Sequence, residues 1–205
     1  GAEPQRLHLA GAGGRSVGSL SASVSAAAIV DRVRRLAPPG ALAGDAALEV
    51  RVGKLTLAPG LAADADVVEL GVEVECLDLD DETALKTRRV AKPASAPSVV
   101  DFAFAGEVEV VRGSAREREL RANLKDPRRD LTNVSFYVNG YRAAGSRTPT
   151  PLGFGSLNLR AILDERRDEA DALVDVVSED GKTRVGSLAV SLVALKTLQR
   201  VAAGR

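Results

Sequence analysis

The side chains with the most chemical potential in this chain stand in two adjoining clusters. Asp78, Asp80, Asp81 and Glu82 form an acidic run, and Lys86, Arg88, Arg89 and Lys92 form a basic one directly after it. Calcium takes about six to eight hard oxygen ligands converging from loops, and "DLDDE" could supply half of such a set. A second acidic loop would have to complete it, for which residues 139–151, "NGYRAAGSRTPTP", are the natural candidate. That stretch holds two arginines and no acid, so the acidic run reads as a solvated turn and no metal site is expected. The basic run could contact phospholipid head groups or an acidic protein face, with neighbouring carboxylates partly cancelling its field.

Catalysis finds no residues to carry it. The single histidine, His8, is far in sequence from the single cysteine, Cys76. A thiol nucleophile needs a neighbouring base to lower its pKa. Cys76 instead continues the apolar row of Val72 and Val74, as a buried structural thiol does. The chain contains no P-loop and no His-Glu-x-x-His helix. "GAGG" at 11–14 lacks the helix-and-acid sequel of a dinucleotide site and reads as a turn. Zinc lacks Cys and His ligands. The chain is therefore expected to be no enzyme and to need no cofactor.

Composition bounds the rest. The 205 residues carry 28 Lys+Arg against 28 Asp+Glu, so no global field favours nucleic acid or an anionic membrane. One cysteine allows no intrachain disulfide, which points to a reducing, cytoplasmic setting. No apolar run approaches the roughly 20 residues that span a bilayer, and no signal-peptide core opens the chain. It begins at Gly1-Ala2 rather than methionine, which reads as a piece of a longer protein.

The elements that must position these groups are strands. Leu48, Val50 and Val52 alternate with Glu49 and Arg51; Gly53 shifts the phase before Leu55 and Leu57, the mark of a bulge. Val68, Leu70, Val72, Val74 and Cys76 alternate with glutamates, and Val100, Phe102 and Phe104 repeat the pattern before Val108 and Val110. Val134, Phe136 and Val138 follow, then a shorter run at Leu157 and Leu159 behind Gly153 and Gly155. Leu173–Val177 and Leu188–Leu192 flank the turn dipeptide Asp180-Gly181. Residues 160–172, "RAILDERRDEADA", read as a small crossover helix, and Leu195, Leu198 and Val201 as a terminal amphipathic one. Many short alternating strands with few helices predict an all-β, antiparallel sandwich of about eight strands.

The residues that compose it resemble a known family. "LEVRVGKLTL", "VELGVEVECLDLDDETALKTRRVAKP", "VDFAFAGEVEV" and the stretch from "VSFYVNGYRAAGSRTPTPLGFGSLNL" to "RVGSLAVSLVALKTL" look like a C2 domain. More narrowly they are similar to the C-terminal C2-type domain of the RPGR-interacting protein family of ciliary transition-zone scaffolds, over roughly 48–201. Calcium-binding C2 domains place aspartates where this chain has Asn139 and Tyr141, so the resemblance implies a calcium-independent protein-interaction module. Its implied partners are the β-propeller of the retinitis pigmentosa GTPase regulator or a nephrocystin-4-like protein, at the cilium transition zone or basal body. Among few aromatics, Tyr137, Tyr141 and Phe154 are the candidate contact anchors, the tyrosines the more exposed. The alternative is a peripheral membrane module reading anionic lipids through Lys86, Arg88, Arg89 and Lys92.

One sentence is written twice. "GSLSASVSAAAIVDRV" at 18–33 returns as "GSLAVSLVALKTLQRV" at 186–201, a domain's length away. Residues 1–37 then read as the closing strands and helix of a preceding domain of the same type, 38–47 as a Pro/Gly/Ala linker, and 48–203 as the whole sandwich. Leu20, Val24, Ile29 and Val33 would lack a core of their own. Deleting residues 1–44 should leave the Tm of the remainder within a few degrees by calorimetry. A collapsed truncation would mean that the first segment packs on the sandwich.

Overall fold

The computed structural model describes residues 5–10, 16–22, 44–77, 85–95, 98–144 and 146–204. The chain divides into two compact units, Gly1–Ala37 and Pro38–Arg205. In the first, β1 (Gln5–Ala10) and β2 (Ser16–Ala22) form an antiparallel hairpin. Its register runs evenly from Gln5–Ala22 to Leu9–Gly18 and slips between Leu9 and Ala10. The helix expected before residue 36, with Val24, Ile29 and Val33, and the linker positions 38–43 lie outside the described residues.

Among the described residues, the second unit holds nine strands: β3 (Ala47–Leu57), β4 (Glu69–Glu75), β5 (Leu85–Lys86), β6 (Val90–Ala91), β7 (Val99–Glu109), β8 (Asn133–Tyr141), β9 (Thr150–Asn158), β10 (Glu169–Val177) and β11 (Arg184–Val193). They pair in the order β5-β4-β8-β9-β10-β11-β3-β7, with β6 also on β4. A single rung, Val177 to Phe154, joins β10 to β9, and there the path turns from one layer into the other. Gly153 and Gly155 make the turn possible. A Cβ on Gly153 would stand 2.3 Å from the Val177 carbonyl oxygen, and one on Gly155 2.5 Å from Val174 Cγ1. Only glycine lets β9 cross β10 so closely.

Alternation does the layering. Leu48, Val50 and Val52 are buried, the register slips at Gly53 against both β11 and β7, and Leu55 and Leu57 resume inward. Phe102 on β7 and Phe136 on β8 are the largest of the fully buried side chains. The start of β4 departs from the expected phase: Val67 is buried while Val68 is 36% exposed, because the strand begins only at Glu69. In the last hairpin the register slips between Val176 and Val177, immediately after Val176 pairs with Gly186. Gly18 and Gly186, the first residues of the two repeated stretches, thus sit on corresponding rungs of their hairpins.

Among the described residues, four α-helices close the ends: α1 (Pro59–Ala63), α2 (Ala115–Lys125), α3 (Leu159–Glu165) and α4 (Leu195–Ala203). The crossover helix is shorter than expected from 160–172. Arg166 takes a left-handed conformation (φ 57°) that ends it, and β10 has begun by Glu169. The terminal helix stands as predicted, with Leu198 and Val201 buried. Its N-terminus is capped from a distance: Asp168 Oδ1 accepts from the backbone N–H groups of Ala194 and Leu195 at 2.7 and 2.8 Å.

Helix α2 falls where no element was predicted. Its start carries the capping sequence Ser-x-x-Glu, with Ser114 Oγ accepting from Glu117 N–H at 3.1 Å. Glu117 also accepts from Gly113 N–H and from the buried guanidinium of Arg200 on α4, at 2.7 and 2.6 Å. Arg200 further donates to the carbonyls of Asp45 and Val110, at 2.7 and 2.5 Å. The Gly113 N–H first, then the arginines, hold the Glu117 carboxyl below its ordinary value near 4.5. A carboxyl depressed in the folded state stabilises above its ordinary value, and that contribution is lost as pH falls through the folded value. Glu117→Gln should therefore flatten the loss of Tm seen on acidifying below pH 4.5. Arg200→Met should lower the Tm at neutral pH by roughly 10 °C, since it strands a buried acid. Melting curves across pH check both, and an unchanged acid limb in the Gln variant would contradict the assignment.

Candidate functional site

The layer β9–β8–β4 turns one face to the core and the other outward. On the outward face, the cross-strand register aligns Lys86, Glu73, Tyr137 and Phe154 in one row over four strands. Lys86 Nζ lies 3.1 Å from Glu73 Oε1. Tyr137, 38% exposed, donates its hydroxyl to Glu75 Oε2 at 2.8 Å, and its ring lies 6.0 Å from that of Phe154, tilted by 34°. The hydrogen bond to Glu75 foremost, then partial burial, raises the phenol above its ordinary range, so the hydroxyl remains a donor. An ordered, amphipathic aromatic on a rigid strand is the side chain that protein interfaces favour as an anchor.

Further along the same strands, Gly71 leaves room for side chains to lie flat. The Tyr141 ring and the Arg89 stem both come within 4 Å of where a Gly71 Cβ would stand. The Arg89 guanidinium sits over the Tyr141 ring, 3.8 Å from its centroid, and donates to the Ser146 carbonyl. Lys92 donates to the carbonyls of Leu61 and Ala62 at 3.2 and 3.0 Å, closing the end of α1. Of the four cations in the basic run, Lys86, Arg89 and Lys92 thus have intramolecular partners, and exposed Arg88 has none among the described residues. The structure brings Lys86 and Arg89 onto one face with the candidate tyrosines.

Only part of the stretch 139–151 is a loop. Asn139 and Tyr141 are strand residues of β8, and the loop proper is 142–149. The strand continues because Asn139 and Tyr141 pair with Gly71 and Glu69 on β4. The antiparallel register leaves Glu75 beside Ser135 near the start of β8, the end toward which the chain runs into the acidic stretch. Loop 142–149 leaves the far end of β8, about 25 Å away at strand rise. Asp78, Asp80, Asp81 and Glu82 themselves lie outside the described residues. Among the described residues no cluster of three or more potential ligands could hold a metal ion.

At the acidic end, a cavity of about 470 Å³ is lined by Glu75, Cys76, Glu119, Asn123 and Asp130, among others. Cys76 is 1% exposed, and burial pushes its thiol up to about 12. At the opposite end, Arg89 bonds to Ser146 of the loop that carries Arg142 and Arg147. Arg142 pairs with Asp66 at 2.9 Å and Arg147 is exposed. That this loop meets Arg89 depends on strand register, which alternation alone does not disclose.

Two antiparallel layers, closing helices and an anchored outward face define a C2-like β-sandwich. The chain belongs to the family described as "Retinitis pigmentosa G-protein regulator interacting C-terminal", which matches residues 45–204. Among solved structures, one described as "CC2D1B coordinates ESRCT-III activity during the mitotic reformation of the nuclear envelope" aligns at TM-score 0.54 and 20% identity. The alignment covers 81% of this chain and 62% of that one, so the present chain spans less than two thirds of its length. The C2A domain of a plant Extended Synaptotagmin 1 aligns at TM-score 0.45 and 14% identity, over 73% of this chain and 94% of that one. A search of curated proteins returns no match.

A thiol held so high has almost no thiolate at neutral pH. Cys76 should resist Ellman's reagent in the native protein and react fully once denaturant is added, read by absorbance. Rapid native labelling would place the thiol at the open cavity wall.

Proposed function

We propose that residues 48–203 form a calcium-independent protein-interaction module of a ciliary transition-zone scaffold. The aromatic row on the outward face of β9–β8–β4 is its contact surface. Membership of a family named for its interaction with the retinitis pigmentosa regulator supports a protein partner. The observation that carries the surface is the pairing of Tyr137 with Phe154, half-exposed and fixed by the Glu75 hydrogen bond. The partner in this reading is the regulator's β-propeller or a nephrocystin-4-like protein. No catalytic residue is assigned. Residues 1–37 are, in the same reading, the closing hairpin and helix of a preceding domain of the same type, and 38–47 the linker. The matched position of the register slips in the two hairpins supports this.

The membrane alternative draws on Lys86, Arg88, Arg89 and Lys92. It is less well supported, because three of the four already have partners within the fold.

The experiment is capture of the purified propeller by the immobilised chain, with calcium and with chelator. Capture should be equal in both conditions and at least tenfold weaker for Tyr137→Ser, whose Tm should move little. Capture that needs calcium, or that ignores the substitution, would overturn the calcium independence or the contact surface respectively.

A further inference from the structure

The interaction-module reading leaves open what chemistry a partner must present, and the arginine corner answers it. We propose that Arg88, Arg89 and Arg147 form a docking site for an acidic, carboxylate-bearing segment of a partner protein. The inference rests on the reading of the domain as a protein-interaction module.

Three features converge. First, the cations are guanidinium groups, whose planar forks match carboxylates in a bidentate manner. Second, the corner is organised before any partner arrives. Tyr141 lies beneath Arg89, both lie against Gly71, and the bond from Arg89 to the Ser146 carbonyl ties the segment after β5 to loop 142–149. Arg89 can therefore receive a carboxylate with little rotamer freedom left to lose. Third, Arg88 precedes Arg89 in the chain and Arg147 follows its partner Ser146; both are exposed and have no ion-pair or hydrogen-bond partner among the described residues. Arg142 is already neutralised by Asp66, so the charge available for a partner is concentrated on the other three.

A polypeptide suits this site better than a membrane. Stable membrane adsorption combines basic charge with apolar side chains that enter the interface. Of the exposed large hydrophobic residues described, Val111 follows β7 and Leu173 lies on β10, while Tyr137, on the face of Tyr141, has its hydroxyl bound to Glu75, which leaves Val68 as the aliphatic side chain near the corner. Asp66 and Glu69 also sit beside the arginines, which weakens attraction to a continuous anionic plane while still allowing a carboxylate to reach a particular guanidinium.

The test uses the whole chain and a fluorescein-labelled oligoglutamate peptide, followed by anisotropy across salt concentrations. The wild type should bind at low salt and weaken as salt rises. Arg88→Glu combined with Arg147→Glu should bind roughly tenfold more weakly. Arg112→Glu, at an exposed turn elsewhere, should bind as the wild type does. Equal weakening by all the charge reversals, or no binding at low salt, would overturn the site. Phosphatidylserine vesicles are the second arm: sedimentation with them that is lost in the double variant would assign the corner to membrane instead. The peptide assay needs no natural partner, so failure of propeller capture would discredit the proposed partner while leaving the corner's result standing.

Discussion

The second unit depends on one buried ion pair. Arg200, in the last helix, reaches Glu117 at the start of α2, the carbonyl of Asp45 just before β3, and the carbonyl of Val110 just after β7. Those four points span nearly the whole unit in sequence, so the guanidinium joins the first strand, an edge strand and two helices at one end. Removing a charge from water costs several kcal/mol, and the cost is offset only when the remaining donors and acceptors are matched. Here they are: Nε, Nη1 and Nη2 each have a partner, and Glu117 also accepts from the Gly113 N–H. Arg121 adds a second tie, pairing with Glu117 and donating to the Val201 carbonyl. Nearby, Thr197 donates to the Ala47 carbonyl at 2.6 Å. With that end fixed, α4 can cover the core without a long apolar stripe of its own.

Antiparallel pairing then sorts charge that composition averages away. Equal numbers of acids and bases predict no field, yet β4 leads from the Arg89–Tyr141 corner at Glu69 toward the acidic cavity beyond Glu75. The returning strands β5 and β6 run back along it, pairing Lys86 with Glu73 and Ala91 with Glu69. The basic run therefore travels from the Glu73 rung of β4 back toward its Glu69 end.

The strands were legible because each buries one face and exposes the other, a pattern that survives in a single sequence. Gly53 marked its own bulge, since a phase shift in an alternating run has few other causes. Helix α2 was not legible by the same test. Only Leu120 and Leu124 among its apolar residues are buried, and most of its length is charged, so periodicity fell silent. The capping signature at Ser114 and Glu117 was the available signal. Which outward residues share a face was beyond the sequence altogether. Tyr137 and Tyr141 are legible as outward on alternation, but their relation to Lys86 and Arg89 is set by pairing register, a long-range quantity.

Register also explains why the outward face can serve as a contact surface without weakening the sandwich. Its anchors are held by neighbours on the same face rather than by the core: Tyr137 by Glu75 and Phe154, Arg89 by Tyr141 and Ser146. The inward residues of the same strands, Val134, Phe136 and Val138 on β8 and Leu70, Val72 and Val74 on β4, are essentially fully buried. The pleat separates the two sets by one residue, so packing constrains the even positions of β8 and leaves the odd ones open to selection for binding. Gly71 carries this furthest. Its Cα faces outward with the Tyr141 ring and the Arg89 stem each within 4 Å of where a Cβ would stand, so the outer surface here is built from neighbouring strands laid against bare β4 backbone.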